Sequence, residues 1–380
     1  MQPFVPSDAF TVGMEVELQL LDATTLDLAD RILPMLEAVT DIAHVKPEFV
    51  QDTVEVVTDP QPDVAALERD ARVRVADLLE VCRRFDLRLA AAGTHPFSTR
   101  LALITPRPRY LELEDASGLL GHTQVCFATH VHVGLPSGEE AVRLMNEMRP
   151  YLPVLLTVAA NSPFWRGYET MFASYRHRLL AAIRSCGQPP AFANWDAFAA
   201  AIDTMIRAGV IASLSDVHWD LRPQPALGTL EVRVMDAQCC VAHAAELAAF
   251  VRAMTKYLQA SRDDPSQRPV QSLPWWIERD NAYVASRFGR DARMVIDAAG
   301  RTVAMADLVE HLLESLRPHA DALGEGLYLT ALAARWRVGL GYERHRAALA
   351  ASGSFVRVVR DMADDLSDEL SAEPAGRVTP

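Results

Sequence analysis

The chain has 380 residues, half of them hydrophobic and 23% charged, with a formal net charge of −13, so it can bury a sizeable core. The acidity argues against a general binder of nucleic acid or anionic membrane. No stretch reaches the ~18 uninterrupted apolar residues of a membrane span, and the opening MQPFVPSDAF lacks the basic start and apolar run of a secretory signal.

A cytoplasmic protein is expected. The five cysteines (Cys82, Cys126, Cys186, Cys239, Cys240) form an odd set without C-x-x-C spacing. That suits reduced thiols in or near the core better than a disulfide framework or a zinc knuckle.

In chain order, the first element is the stretch from Phe10 to Leu21. Val12, Met14, Val16, Leu18 and Leu20 alternate with Gly13, Glu15, Glu17 and Gln19. Successive side chains leave opposite faces of a strand, so this period of two predicts a half-buried strand with two carboxylates on its polar face. Leu28 to Ile42 reads as a helix that Pro34 kinks or splits. Glu48 to Val57 reads as a strand with Gln51, Thr53 and Glu55 on one parity, and Val50, Val54, Val56 and Asp52 on the other. Asp63 then caps a helix running to about Phe85. A short strand from Leu87 ends in Gly93-Thr94-His95-Pro96.

Gln124 to Leu135 repeats the design. Val125, Phe127, Thr129, Val131, Val133 and Leu135 face one way, and Gln124, Cys126, Ala128, His130 and His132 the other. Ser137 and Glu140 have capping-box spacing. Pro150 and Pro153 interrupt the helical region up to Ala160, and Asn194 is placed to cap another helix. Thr229 to Val234 alternates again, with Leu230, Val232 and Val234 against Thr229, Glu231 and Arg233. From Val241 the pattern is helical, with a loop from Asp263 to Pro274. Trp275-Trp276 reads as a core or interface anchor. No repeat or linker divides the chain, so one domain is expected over 1–370, with a frayed tail over 371–380.

If these strands share a sheet whose apolar side packs on helices, then Glu15, Glu17, Glu55, Glu231, His130, His132 and Arg233 converge on one surface. Carboxylates crowd together only when paired, protonated or bound to cations. Oxygen-rich donors suit Mg²⁺, or Mn²⁺ where a histidine joins. Arg233, two residues beyond Glu231, then lies within reach of a phosphate beside the metal. The combination points to phosphoryl transfer from a nucleotide. The sequence contains neither a GxxxxGK[ST] loop nor a GxGxxG fingerprint, so metals and basic side chains would have to hold that nucleotide.

These residues bring a family into view. The chain resembles the carboxylate–amine ligase branch of the glutamate–cysteine ligase family, type 2. The matching pieces are Gly13-Met14-Glu15-Val16-Glu17, Glu48 through Glu55, Gly93-Thr94-His95-Pro96, His130-Val131-His132-Val133-Gly134, Asn161-Ser162-Pro163-Phe164-Trp165, Ser174-Tyr175-Arg176, Trp219-Asp220-Leu221-Arg222-Pro223 and Thr229-Leu230-Glu231-Val232-Arg233.

The resemblance implies an α+β fold similar to the glutamine synthetase catalytic domain, a curved, mainly antiparallel sheet with helices outside. It also implies the reaction: ATP phosphorylates a substrate carboxylate, and an amine then attacks the acyl phosphate to form an amide. By the same resemblance Glu15, Glu17, Glu55, His132 and Glu231 bind Mg²⁺ or Mn²⁺, and Arg233, with Glu55 and Glu231, serves catalysis. His130, Arg176 and Arg222 contact substrate or phosphate. The expected partners are a small carboxylate, with glutamate the leading candidate, and an amine such as cysteine, in a homo-oligomer. One departure stands out: Met171 occupies a position where the family pattern has glycine, which puts cysteine in doubt if this region borders the acceptor pocket.

Two other readings stay open. A His-x-His strand also builds metal-dependent hydrolases, which would call on His218 or His243, bind zinc and work without ATP. A non-catalytic paralogue would show a degraded metal set, whereas all five implied ligands are present.

Overall fold

The computed structural model describes residues 2–372; the expected tail from residue 373 onward lies outside them. Seven strands form one antiparallel sheet: β1 (Val12–Asp22), β2 (Val45–Pro47), β3 (Thr53–Val57), β4 (Leu87–Ala90), β5 (Thr129–Gly134), β6 (Leu221–Gln224) and β7 (Thr229–Val232). Their order is β6-β7-β5-β1-β3-β2, and β4 pairs with the far end of β1. The sheet is thus centred on the first strand of the chain.

The alternation in β1 explains both layers. Val12, Met14, Val16, Leu18 and Leu20 are each at most 4% exposed, and the helices Val64–Arg83 and Val241–Ala260 lie against that strand. Burying one such side chain stabilises the fold by roughly 1.5–3 kcal/mol over leaving it in water. The same apolar core continues through the outer helices to Leu366.

Local signals set several helix starts. Asp63 accepts a hydrogen bond from the Ala66 amide at 2.7 Å, and Asn194 accepts one from Ala197 at 2.9 Å. Ser137 accepts from the Glu140 amide at 3.2 Å, but the Glu140 carboxylate turns to Arg143 at 2.9 Å, so only half of the capping box forms. The five cysteines are all free thiols.

Three expectations change. Between Leu28 and Ile42 only Ile32–Leu36 is helical, because the backbone of Leu28 and Ala29 is drawn to β1, bridging Leu21 and bonding the Leu20 carbonyl. The stretch from Glu48 to Val57 is not one strand. Its first half is a turn that closes the β2–β3 hairpin, where Lys46 pairs with Glu55 and Pro47 with Val54. Trp275 and Trp276 are 61% and 59% exposed, so they do not anchor the core; they meet edge to face at the start of the helix Trp275–Phe288.

Met171 has φ +65°, the left-handed region that favours glycine. Its side chain is 55% exposed and absent from the lining of the main cleft. The departure from the family pattern therefore bears on the backbone of a turn, and its effect on the acceptor pocket is not direct. Relieving a left-handed side chain gains about 1 kcal/mol, part of which glycine's freedom in the unfolded chain removes. Met171→Gly should accordingly raise stability slightly, by about 0.5 kcal/mol, in urea denaturation. A loss of stability would show that the methionine side chain makes a contact that matters.

Candidate active site

Register determines what faces what on the polar side of the sheet. Glu15 lies opposite His130, Gly13 opposite His132, and Glu17 opposite Glu55. Glu231 lies opposite His132 on one side and Arg222 on the other. Cross-strand neighbours share a face and stand close enough to interact. Five strands thereby deliver their polar residues to one floor, beneath a cleft of about 350 Å³.

Three overlapping donor sets occupy that floor: Glu15, His132 and Glu231; Glu15, Glu55 and His130; and Glu17, Glu48 and Glu55. Within each set the ligand atoms lie within 4.8 Å of one another. Every implied ligand is therefore drawn into a cluster, and His130 with them.

Glu48 joins the set without having been singled out from the sequence. On a continuous strand it shares the parity of Val50 and Val54 and points away from Glu55. The turn after it breaks the period of two and swings it onto the polar face. The usable signal was a carboxylate just before a residue run too polar at Gln51-Asp52 to continue as a buried strand.

The electrostatics are those of crowded, buried carboxyl groups. Burial, and next the neighbouring Glu48, push Glu17 up to about 8. Burial also raises Glu48, and it raises Glu55 well above the usual carboxylate range, with Glu48, Glu15 and Glu17 adding like charge. For Glu15, burial acts upward too, but the neighbouring imidazoles of His130 and His132 outweigh it and hold the carboxyl low. His130 Nδ1 lies 2.9 Å from Glu15 Oε2. Glu231, although fully buried, is held low by Arg233, Arg222 and His132.

The histidines bear on whether a cation fits. His132 Nδ1 is 3.0 Å from Thr229 Oγ1, while its Nε2 faces Glu15 Oε1 at 3.3 Å and Glu231 Oε1 at 3.8 Å without a hydrogen bond. His130 Nε2 is likewise buried and unpartnered. A histidine whose one nitrogen is fixed by a hydroxyl and whose other meets carboxylates has the arrangement of a metal ligand. The donors, mostly oxygen with one or two imidazoles, fit Mg²⁺ or Mn²⁺ better than zinc. His218 and His243, on which the hydrolase reading depends, belong to none of the three donor sets.

The arginines divide by task. Arg233 bonds Glu231 Oε1, lies 3.4 Å from His130 Nδ1, and lines the cleft. Arg222 also reaches the cleft, yet its Nε bonds Glu231 at 2.9 Å and its Nη1 bonds the Val217 carbonyl at 2.7 Å. Gln224 adds a third donor to Glu231, at 2.7 Å. Arg176 also lines the cleft, and it bonds the carbonyls of Arg233 and Val234, each at 3.2 Å, so it steadies the segment that follows β7.

Behind them sits Asp236, which is wholly buried. It accepts from Ser162 Oγ at 2.6 Å, Ser174 Oγ at 2.8 Å and the Asn161 amide at 2.9 Å. A Cβ on Gly93 would come within 2.6 Å of that carboxyl group. This carboxylate explains why Gly93, Asn161-Ser162 and Ser174 occur together.

A carboxyl group with a raised proton affinity must give up its proton to take a cation. Mg²⁺ or Mn²⁺ binding at pH 7 should therefore release protons, chiefly from Glu17, whose carboxyl stands at about 8, and from Glu55, and should weaken as pH falls. Calorimetry in two buffers of different ionisation enthalpy measures this directly. A heat that does not depend on the buffer would count against these two as ligands.

Comparison with known proteins agrees with this geometry. The sequence model described as glutamate–cysteine ligase family 2 matches residues 11–361. A protein of Trichormus variabilis, provisionally named glutamate–cysteine ligase 2, is 39% identical over 97% of this chain and 95% of its own. One of the same provisional name from Thermobifida fusca is 35% identical over 97% of this chain and 93% of its own. Among solved structures, the fold is similar to that of a glutamate–cysteine ligase from Francisella tularensis in complex with AMP. The TM-score is 0.69 at 12% identity, covering 98% of this chain and 91% of that one. It is also similar to a bifunctional glutathione synthetase of Pasteurella multocida, with TM-score 0.65 at 13% identity over 95% of this chain and 53% of that one. A family match spanning nearly the whole chain, with relatives above 30% identity end to end, leaves one assignment: the chain belongs to glutamate–cysteine ligase family 2.

Proposed function

We propose that this carbon–nitrogen ligase is an ATP- and Mg²⁺-dependent carboxylate–amine ligase that forms its amide through an acyl phosphate, and that residues 1–370 make up one catalytic domain in the cytoplasm. The observation that carries the reading is the set of three overlapping donor clusters with Arg233 beside them. A single-metal hydrolase has no use for five glutamates on one floor, whereas a polyphosphate brought against a carboxylic acid needs several cations.

Glu15, Glu17, Glu48, Glu55, His132 and Glu231 would hold the cations, whose chemistry is to neutralise phosphate oxygens and the substrate carboxylate as they approach. Arg233 supplies a planar, permanently charged donor where charge develops on the transferring phosphoryl group. Arg222 and Gln224 hold Glu231, and Arg176 holds the backbone of Arg233, so neither group has to be reorganised at the moment of transfer. No protein nucleophile is needed. The reaction is positioning and charge neutralisation, after which an amine displaces phosphate from the activated acyl group. Glutamate and cysteine are the leading acid and amine, in keeping with the names of the relatives.

The deciding assay is ADP release by purified protein with ATP and Mg²⁺, offering glutamate with and without a panel of amines that includes cysteine. Release that needs both acid and amine, with the matching amide seen by mass, is the expected result. Zinc in the purified protein together with no ATP turnover would favour the hydrolase. In the same assay Glu231→Gln, which removes a ligand charge at constant volume, should lower turnover at least about 100-fold while the circular dichroism spectrum is unchanged. Near-wild-type turnover in that variant would remove Glu231 from the metal set.

A further inference from the structure

Apart from the glutamates of the metal set, the cleft presents one further carboxylate among the described residues, Asp220. Leu221 pairs with Val232, and the Arg233 amide donates to the Asp220 carbonyl at 2.8 Å. Asp220 therefore stands across from Arg233 on the same face, immediately before the edge strand β6 and on the far side of the sheet from Glu17 and Glu55. Its own amide donates to the Gly187 carbonyl at 2.8 Å, which ties it to the segment that carries Cys186.

The side chain is held from behind. His177 Nε2 lies 3.4 Å from Asp220 Oδ2, and His177 Nδ1 accepts from Arg178 Nη2 at 2.7 Å. With Nδ1 used as an acceptor, the ring proton sits on Nε2 and points at Asp220. His177 and Asp220 are only 6% and 8% exposed at their side chains. Oδ1 accepts no hydrogen bond among the described residues, and Leu180, Ile183, Cys126 and Cys186 complete the neighbouring wall of the cleft.

An amine entering this cleft at pH 7 is an ammonium ion. It must come beside Arg233, so it needs a counter-charge that the cations do not already claim. It also has no lone pair until a proton leaves. We propose that Asp220 is the acceptor-binding residue: it receives the amine as its ammonium ion through Oδ1 and takes one of its protons as the amide forms. This rests on the ligase reading above.

The step balances. One proton passes from nitrogen to Asp220, and the freed lone pair forms the C–N bond. The bond from the acyl carbon to the phosphate oxygen breaks with its electrons going to phosphate, which takes the second nitrogen proton. The wall of leucine, isoleucine and two thiols suits an acceptor with a short, uncharged side chain. His177 is a positioning residue that keeps Asp220 aimed.

The test compares two nucleophiles with glutamate, ATP and Mg²⁺: cysteine, and hydroxylamine, which is uncharged at pH 7 and needs neither counter-charge nor base. Asp220→Asn should lower amide formation with cysteine by at least about 100-fold, the scale of a lost general base. Hydroxamate formation with hydroxylamine should stay within about threefold of wild type, far short of such a loss, which also reports that the variant folds. Asp220→Glu, which keeps the charge, should recover part of the cysteine reaction. An active wild type whose Asp220→Asn variant loses both reactions equally, or neither, overturns the role of Asp220 alone. A wild type that turns over ATP with no acid and amine overturns the ligase reading and this proposal together.

Discussion

Like-charge crowding is the constraint on which the rest depends. Glu15, Glu17, Glu48, Glu55 and Glu231 meet on one floor that is largely removed from water. Isolated ionised carboxylates are too costly to bury in that way. The protein resolves the conflict unevenly. At one side Arg233, Arg222 and the histidines keep Glu231 and Glu15 ionised. At the other, Glu17, Glu48 and Glu55 have no equal compensation within the protein, and their proton affinity rises. The floor is graded, with permanent internal cations at one end and carboxyl groups of raised proton affinity at the other.

The same strands make this affordable. Each residue that adds a carboxylate to the floor is flanked by residues that add apolar surface to the core, as Met14 and Val16 flank Glu15. The sheet is stabilised by one face and carries the candidate site on the other, and a one-residue slip in register would exchange them. Antiparallel pairing across β7, β5, β1 and β3 fixes the lateral order of the donors, so the geometry of the site follows from backbone hydrogen bonds before any side chain is considered.

This is also why so much of the site could be read from the sequence. Strict alternation in Val12–Leu20, Gln124–Leu135 and Thr229–Val234 identified the polar face without reference to the fold, and Glu15, Glu17, His130, His132, Glu231 and Arg233 came with it. What stayed hidden depended on breaks in that period. Glu48 reaches the floor only through the turn at Gln51-Asp52, and a parity argument sends it to the wrong side. The apolar spacing of Leu28–Ile42 resembled a helix because an extended clasp against β1 also buries leucine and alanine. Asp236 carried no local signal, since its partners lie 62 to 75 residues away. For Trp275-Trp276 the core half of the expectation fails, because the helix start leaves both rings outside.

The position of Asp236 has a consequence for the order in which this protein can be made. It is the last residue of a cluster that begins at Gly93, and it lies just beyond the strand that delivers Glu231 and Arg233. During synthesis β1 can pair with β3 and β4 early, but it waits for Thr129–Gly134 to cover its other edge, and the floor remains incomplete until residue 236 has emerged. A nascent chain of 200 residues would display several acidic strand faces without Arg233 beside them and with no buried carboxylate to gather the turns. Long-range pairing of this kind is slow to form and exposes strand edges in the meantime. The floor is therefore completed late in synthesis, and a chain ending at residue 200 carries two of the three donor sets but neither Glu231 nor Arg233.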